Sequence, residues 1–256
     1  MTRYQIVLAY DGSKFSGSQR QTAKSRTVQG EFEKSLRKLG WVGNSVILAG
    51  RTDTGVHAAG QVASFDIEWR HPLEELVTAL NANLPLDIAA RSAKVVPADF
   101  HPRFDAISRR YQYKIFCKPL RDPLRERYAW RVWPQVNGNN LHKAARFFLG
   151  QHDFAAFGSA PKRGNGTVRT VVKSSWESRE DEWIFEVQAD AFLYRMVRKL
   201  VFVQVAVGQE RLSTDVIADA LNGQLQNIPG GLAPPNGLTL IEVTYPIVTD
   251  IPVQSD

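Results

Sequence analysis

Apolar residues recur along this chain at two periods, and the order of those periods predicts strands and helices in a repeating pattern. Tyr4 to Tyr10 reads as a first strand, ended by the turn pair Asp11-Gly12. Val28, Phe32, Leu36 and Leu39 then fall at helical spacing, with Thr27 placed to cap the helix start. The apolar run Val46–Ala49 predicts a short buried strand. Ala63, Phe65, Ile67 and Trp69 alternate with mostly polar residues along another. Leu73, Leu76, Val77 and Leu80 mark a second helix, and Ile88 to Val96 a closing strand. The order β-α-β-β-α-β is that of the split ferredoxin-like unit.

The second half runs through the same order. Tyr111, Tyr113, Ile115 and Cys117 alternate along a strand, and Leu141, Ala145, Phe148 and Leu149 predict a helix. Strands are expected at 168–177 and 183–189, helices at 193–207 and 214–221, and a last strand at 238–245. A junction near 104–108 divides the chain into residues 1–105 and 106–256, two α+β halves with a cleft between them. Two segments show no period. Residues 13–26 are basic and rich in small side chains, and residues 158–170 have the Gly, Pro and Ser content of a loop and carry Lys162, Arg163 and Arg169. Each reads either as a solvated loop or as an arm that grips phosphate.

Composition narrows the class only a little. The chain has 256 residues, 43% hydrophobic and 23% charged, enough for a sizeable core. A net charge of +6 points to a polyanionic partner. The single cysteine, Cys117, rules out an internal disulfide and a cysteine metal cluster and suits a reducing cytoplasm. No apolar stretch is long enough to span a bilayer, and the start MTRYQIVLAYDG reads as a strand rather than a signal peptide. The scattered histidines form no metal-like pair, and no glycine loop is followed by Lys-Ser/Thr, so neither a metal nor a nucleoside triphosphate is expected.

Candidate chemistry concentrates in Gly50–Ala58, GRTDTGVHA. One carboxylate, Asp53, sits between Arg51 and His57 on a glycine-flanked turn just after a buried strand, where a rigid scaffold commonly presents a reactive group. A cation two residues away favours the ionised acid that a nucleophile or base requires. Tyr111, within Arg109-Arg110-Tyr111-Gln112-Tyr113, is either a core residue or an aromatic plate for a splayed-out base. Arg198 lies on a helix apolar over most of its circumference, so its charge must pair with an anion or stay partly wet. Asp53 and Asp190 are the two candidates.

The string GRTDTGVHA resembles the signature of the TruA family of tRNA pseudouridine synthases, and further motifs follow in order along nearly the whole chain. They are YDGSKFSGSQRQ, RTVQGEFEKSL, FHPRFDA, RRYQY, HDFAAF, ADAFLYRMVRKL and PPNGLTLIEVTYP. The resemblance implies the pseudouridine synthase fold, with a central mixed, mainly antiparallel sheet. It also implies isomerisation of uridine in the tRNA anticodon stem-loop, at about positions 38, 39 and 40, with the target base flipped out. It makes Asp53 the catalytic nucleophile, Arg198 its salt-bridge partner and Tyr111 the residue stacking on the target base, with possible acid–base use. Arg20, Gln21, Arg51, His57, Arg103, Arg110, Lys162, Arg163 and Arg169 are the candidate RNA contacts. No cofactor is implied, because the reaction exchanges no electron, phosphate or carrier group. A cytoplasmic homodimer is expected. Two residues depart from the family pattern: Ser18 stands where a tryptophan is usual, and Phe202 where a glycine is usual. The first is expected to weaken a contact in the RNA groove, the second to alter helix packing.

Two readings from other classes compete. Asp53-Thr54-Gly55 has the DTG form of an aspartic protease, which needs two carboxylates sharing a proton and so a dimer of this chain. The polar lead-in Arg51-Thr52 and the basic balance argue against it. A non-catalytic RNA-binding module is the other, since ferredoxin-like sheets with exposed aromatics bind RNA.

Overall fold

The computed structural model describes residues 1–21, 25–160, 166–225 and 228–246. The first half comprises β1 (Thr2–Tyr10), α1 (Val28–Lys38), β2 (Ile47–Leu48), β3 (His57–Ile67), α2 (Leu73–Asn83) and β4 (Ile88–Val95). The second comprises β5 (Ser108–Cys117), β6 (Trp130–Val132), α3 (Gly138–Arg146), β7 (Gly150–Asp153), β8 (Val168–Arg179), β9 (Glu182–Ala189), α4 (Met196–Gly208), α5 (Asp215–Leu221) and β10 (Leu238–Thr244). The expected α+β order holds in both halves, with β6 and β7 added to the second. Each added strand is three or four residues long, too short for an alternating pattern to register.

One sheet runs through the molecule in the order β4-β1-β3-β10-β5-β9-β8-β7, with β2 on β3 and β6 on β5. Within each half the four main strands follow one plan: β4-β1-β3-β2 in the first, β10-β5-β9-β8 in the second. The halves join where β10 pairs in parallel with the start of β3, Thr239 opposite His57 and Leu240 opposite Ala58. The sheet is thus mixed and mainly antiparallel. β3 begins well before the alternation at Ala63, because Ala58, Ala59 and Gly60 hide the period. Gly60 is required there: a Cβ would lie 2.2 Å from the Ile241 carbonyl oxygen.

Core packing follows the register. Tyr4 is opposite Phe65, and Phe32 of α1 meets the Phe65 ring edge-on at 5.7 Å. In the second half Tyr113 is opposite Phe185, and Trp176 beside it donates its indole N–H to Gln204 Oε1 of α4 at 2.8 Å. Thr27 caps α1 as expected, its hydroxyl accepting from the Gly30 N–H at 3.2 Å. Continuing the register across the joint, Tyr10, Ala58, Leu240, Tyr111 and Val187 form one row on the face that carries the helices. The candidate site lies over that row.

Candidate active site

Asp53 sits in the loop that joins β2 to β3, and buried polar side chains hold this loop from below. Gln61, fully buried on β3, donates to the Gly50 carbonyl at 2.9 Å and accepts from the Gly50 N–H at 3.3 Å. The Thr52 hydroxyl meets the Tyr10 hydroxyl at 2.8 Å. Ser18 clasps the backbone of Thr52 twice: its Oγ accepts from the Thr52 N–H at 2.8 Å, and its own N–H donates to the Thr52 carbonyl at 3.0 Å. Each of these groups would cost about 1–3 kcal/mol if buried without its partner, so the residue before Asp53 is held in one place. Gly55, with φ +80°, closes the turn against Pro235, and Gly17, with φ +92°, lets the Ser18 segment pass close to Thr52.

Segment 13–26 is therefore not a solvated loop throughout. Phe15, Gly17 and Ser18 are buried, and the Arg26 guanidinium lies 4.2 Å from the Phe15 ring centre while pairing with Asp87. The departure at Ser18 likewise faces inward, where a small hydroxyl fastens the Asp53 loop, and not into an RNA groove.

Arg198 reaches this loop from α4. The helix begins at Met196, three residues later than the apolar pattern implies, because Arg195 takes a left-handed conformation, φ 62°. Arg198 NH1 donates to Asp53 Oδ2 at 3.0 Å and Nε donates to the Ala233 carbonyl at 2.8 Å. The Arg198 carbonyl accepts from the Ala233 N–H in return. Side-chain exposures of 14% for Arg198 and 23% for Asp53 leave the carboxylate open to one side. Asp190, the alternative partner, instead accepts the N–H groups of Thr170 and Ala191. Phe202, one turn after Arg198, lies against Gly231, where a Cβ would come within 2.2 Å of its ring. The side chain at this departure thus shapes the 228–237 segment that holds Arg198.

Tyr111 stands next to Leu240 in the row below the loop. It is 8% exposed, its ring meeting Phe192 edge-on at 5.1 Å. Burial pushes its hydroxyl well above the ordinary tyrosine range, and the charge of Asp53 acts in the same direction.

The remaining candidates divide by position. Arg51 and Arg103 are exposed; among the described residues no hydrogen bond or ion pair engages the Arg51 guanidinium, so the charge beside Asp53 comes from Arg198, 145 residues away, and not from its near neighbour. Arg20 pairs with Glu33 at 2.7 Å, and Gln21 donates to the Ser16 carbonyl. Arg110 spans Glu186 and Glu242. Arg169 donates to the carbonyls of Gly166 and Val168. His57 is buried; its Nδ1 accepts from the Gly12 N–H at 3.0 Å, and burial lowers its affinity for a proton. Lys162 and Arg163 lie outside the described residues. Sequence reading misses Tyr10, Ser18 as a loop fastener, Thr52, Gln61 and Ala233. A signal for Gln61 and Tyr10 is present, a polar atom at a core-facing strand position; for Ala233, a backbone acceptor, there is none. Among the described residues no three histidine, cysteine or carboxylate side chains converge as metal ligands.

Two ferredoxin-like units on one sheet, with a carboxylate–guanidinium pair over their joint, frame the comparison with known proteins. A family model described as tRNA pseudouridine synthase matches residues 6–105 and 144–246, so the chain belongs to that family of RNA-modifying isomerases. Its similarity is to proteins named tRNA pseudouridine synthase A. The one from Limosilactobacillus fermentum is 37% identical over 253 residues, 96% of each chain. That of Methylacidiphilum infernorum is 41% identical over 244 residues, 95% of each. That of a Thermoanaerobacter strain is 38% identical over 245 residues, 96% of this chain and all of the relative.

Proposed function

We propose that the chain isomerises uridines in the anticodon stem-loop of tRNA, at about positions 38 to 40, after flipping the target base from its stack at a cost of a few kcal/mol. Asp53 is the nucleophile, and Arg198, donating to its carboxylate at 3.0 Å, holds and aims it. Asp53 attacks the ribose or the base, or takes a proton from the sugar; on each route the bond from the sugar to N1 of uracil breaks, a bond to C5 forms, and the C5 proton is lost as N1 gains one. Arg198 is the preorganised charge that such a path needs. Tyr111 forms the floor beneath the flipped base; its raised affinity for its proton suits a stacking or donating role better than that of a base. Exposed Arg51 and Arg103, with Lys162 and Arg163, meet phosphates, whereas His57, Arg20 and Arg110 act mainly in the scaffold. Residues 1–105 and 106–256 serve as the two halves that grip the substrate. The working form is a cytoplasmic homodimer.

The observation that carries this reading is the 3.0 Å pair between Arg198 and a partly exposed carboxylate on a loop pinned from below. Replacement Asp53→Asn keeps size and removes the nucleophile. Pseudouridine formation should vanish while tRNA affinity stays within about threefold, a change well under 1.4 kcal/mol. Substantial turnover in that variant would remove Asp53 from the role.

A further inference from the structure

Arg109, the first residue of RRYQY, takes no part in that chemistry. Its guanidinium is half-buried, and among the described residues no carboxylate lies within ion-pair distance of it. It donates instead to four backbone carbonyls: NH1 to Ala106 at 3.1 Å and Asp190 at 2.8 Å, NH2 to Ala49 at 3.4 Å and to Arg103. Burial lowers its hold on the proton, as expected for a cation satisfied by dipoles alone.

The four acceptors belong to three different parts of the chain. Ala49 opens the loop that carries Asp53, four residues on. Asp190 opens the segment that leads into α4 and Arg198, eight residues on. Arg103 and Ala106 lie in the segment that links the two halves. A guanidinium is suited to such a place, because its donors are fixed in one plane and their directions cannot be adjusted separately.

We infer that Arg109 is a positioning residue, which locks the arm bearing Asp53, the arm bearing Arg198 and the link between the halves into one frame. It acts on the reaction through the geometry of that pair and touches no substrate. The inference rests on Asp53 and Arg198 being the working pair, and the Asp53→Asn experiment tests that separately.

The test uses full-length protein with unmodified tRNA and compares Arg109→Lys and Arg109→Gln with the parent, below the melting temperature of each. Both variants are expected to lower kcat at least tenfold, with KM for tRNA changed less than about threefold, and Lys is expected to recover part of the loss. Combination with Arg198→Lys supplies the readout that a merely structural role would not move. If Arg109 acts through the pair, the double variant loses less than the product of the single losses. Fully multiplicative losses, or a kcat per folded molecule unchanged in both single variants, would overturn the inference. If Arg109→Gln fails to fold, Arg109→Lys alone carries the same comparison.

Discussion

For single residues, the site is a matter of which polar groups have only one place to go. Arg198 has an aliphatic stem on a buried helix, a carbonyl on one side and Asp53 on the other. Arg198→Met should therefore lower kcat by about a hundredfold, the effect of removing one preorganised charge donor. Arg198→Lys should recover only part, since an ammonium cannot give to both Ala233 and Asp53 along the planar directions a guanidinium offers. Equal rates for Met and parent would make Arg198 a helix-packing residue. None of this spacing is local: a separation of 145 positions means that no window of sequence contains the pair.

Among elements, the decisive contact is the parallel pairing of β3 with β10, which makes two four-stranded units into one sheet. Gly60 lets the two strands approach, and the carbonyl of Ile241 occupies the space where a side chain would begin. Gly60→Ala should cost about 1–3 kcal/mol, because backbone, unlike a side-chain tip, cannot swing aside. Thermal melts read this directly; an unchanged midpoint would mean that the joint yields without cost. The helices are legible in the chain because α1, α2 and α3 each show one apolar face, and Thr27 announces its cap. At α4 the boundary differs from the apolar pattern because Arg195 takes a left-handed conformation and delays the helix start.

In the molecule as a whole, charge sets the response to pH and salt. Burial holds the proton affinity of His57 below that of an ordinary histidine, so on acidification the unfolded chain takes up a proton that the folded chain refuses. Stability should fall as pH drops from about 7 toward 5, and His57→Phe should flatten that limb in denaturant titrations. A second fall is expected below about pH 4, as Asp66 and Asp87, held down by Arg3 and Arg26, are forced to protonate. An equal slope with and without His57 would assign the first limb elsewhere. For tRNA binding, Lys162→Ala with Arg163→Ala should reduce the log–log salt slope by about one for each phosphate that these two side chains neutralise. No change would place those side chains in bulk solvent.

Strand and helix order apart from the short β6 and β7, the doubling of the ferredoxin-like unit and the family are legible in the chain alone, as is Asp53 as the candidate carboxylate, because they rest on local periods and on motifs read residue by residue. What surrounds that carboxylate was decided by the fold. Asp53 takes its partner from α4, Arg51 beside it in sequence stays in solvent, and Ser18, expected in a groove, turns inward to hold Thr52. The physical reason is the same in each case. A buried charge or hydroxyl is satisfied by whatever the fold brings within about 3 Å, and which strands meet is settled only when β10 returns to lie beside β3.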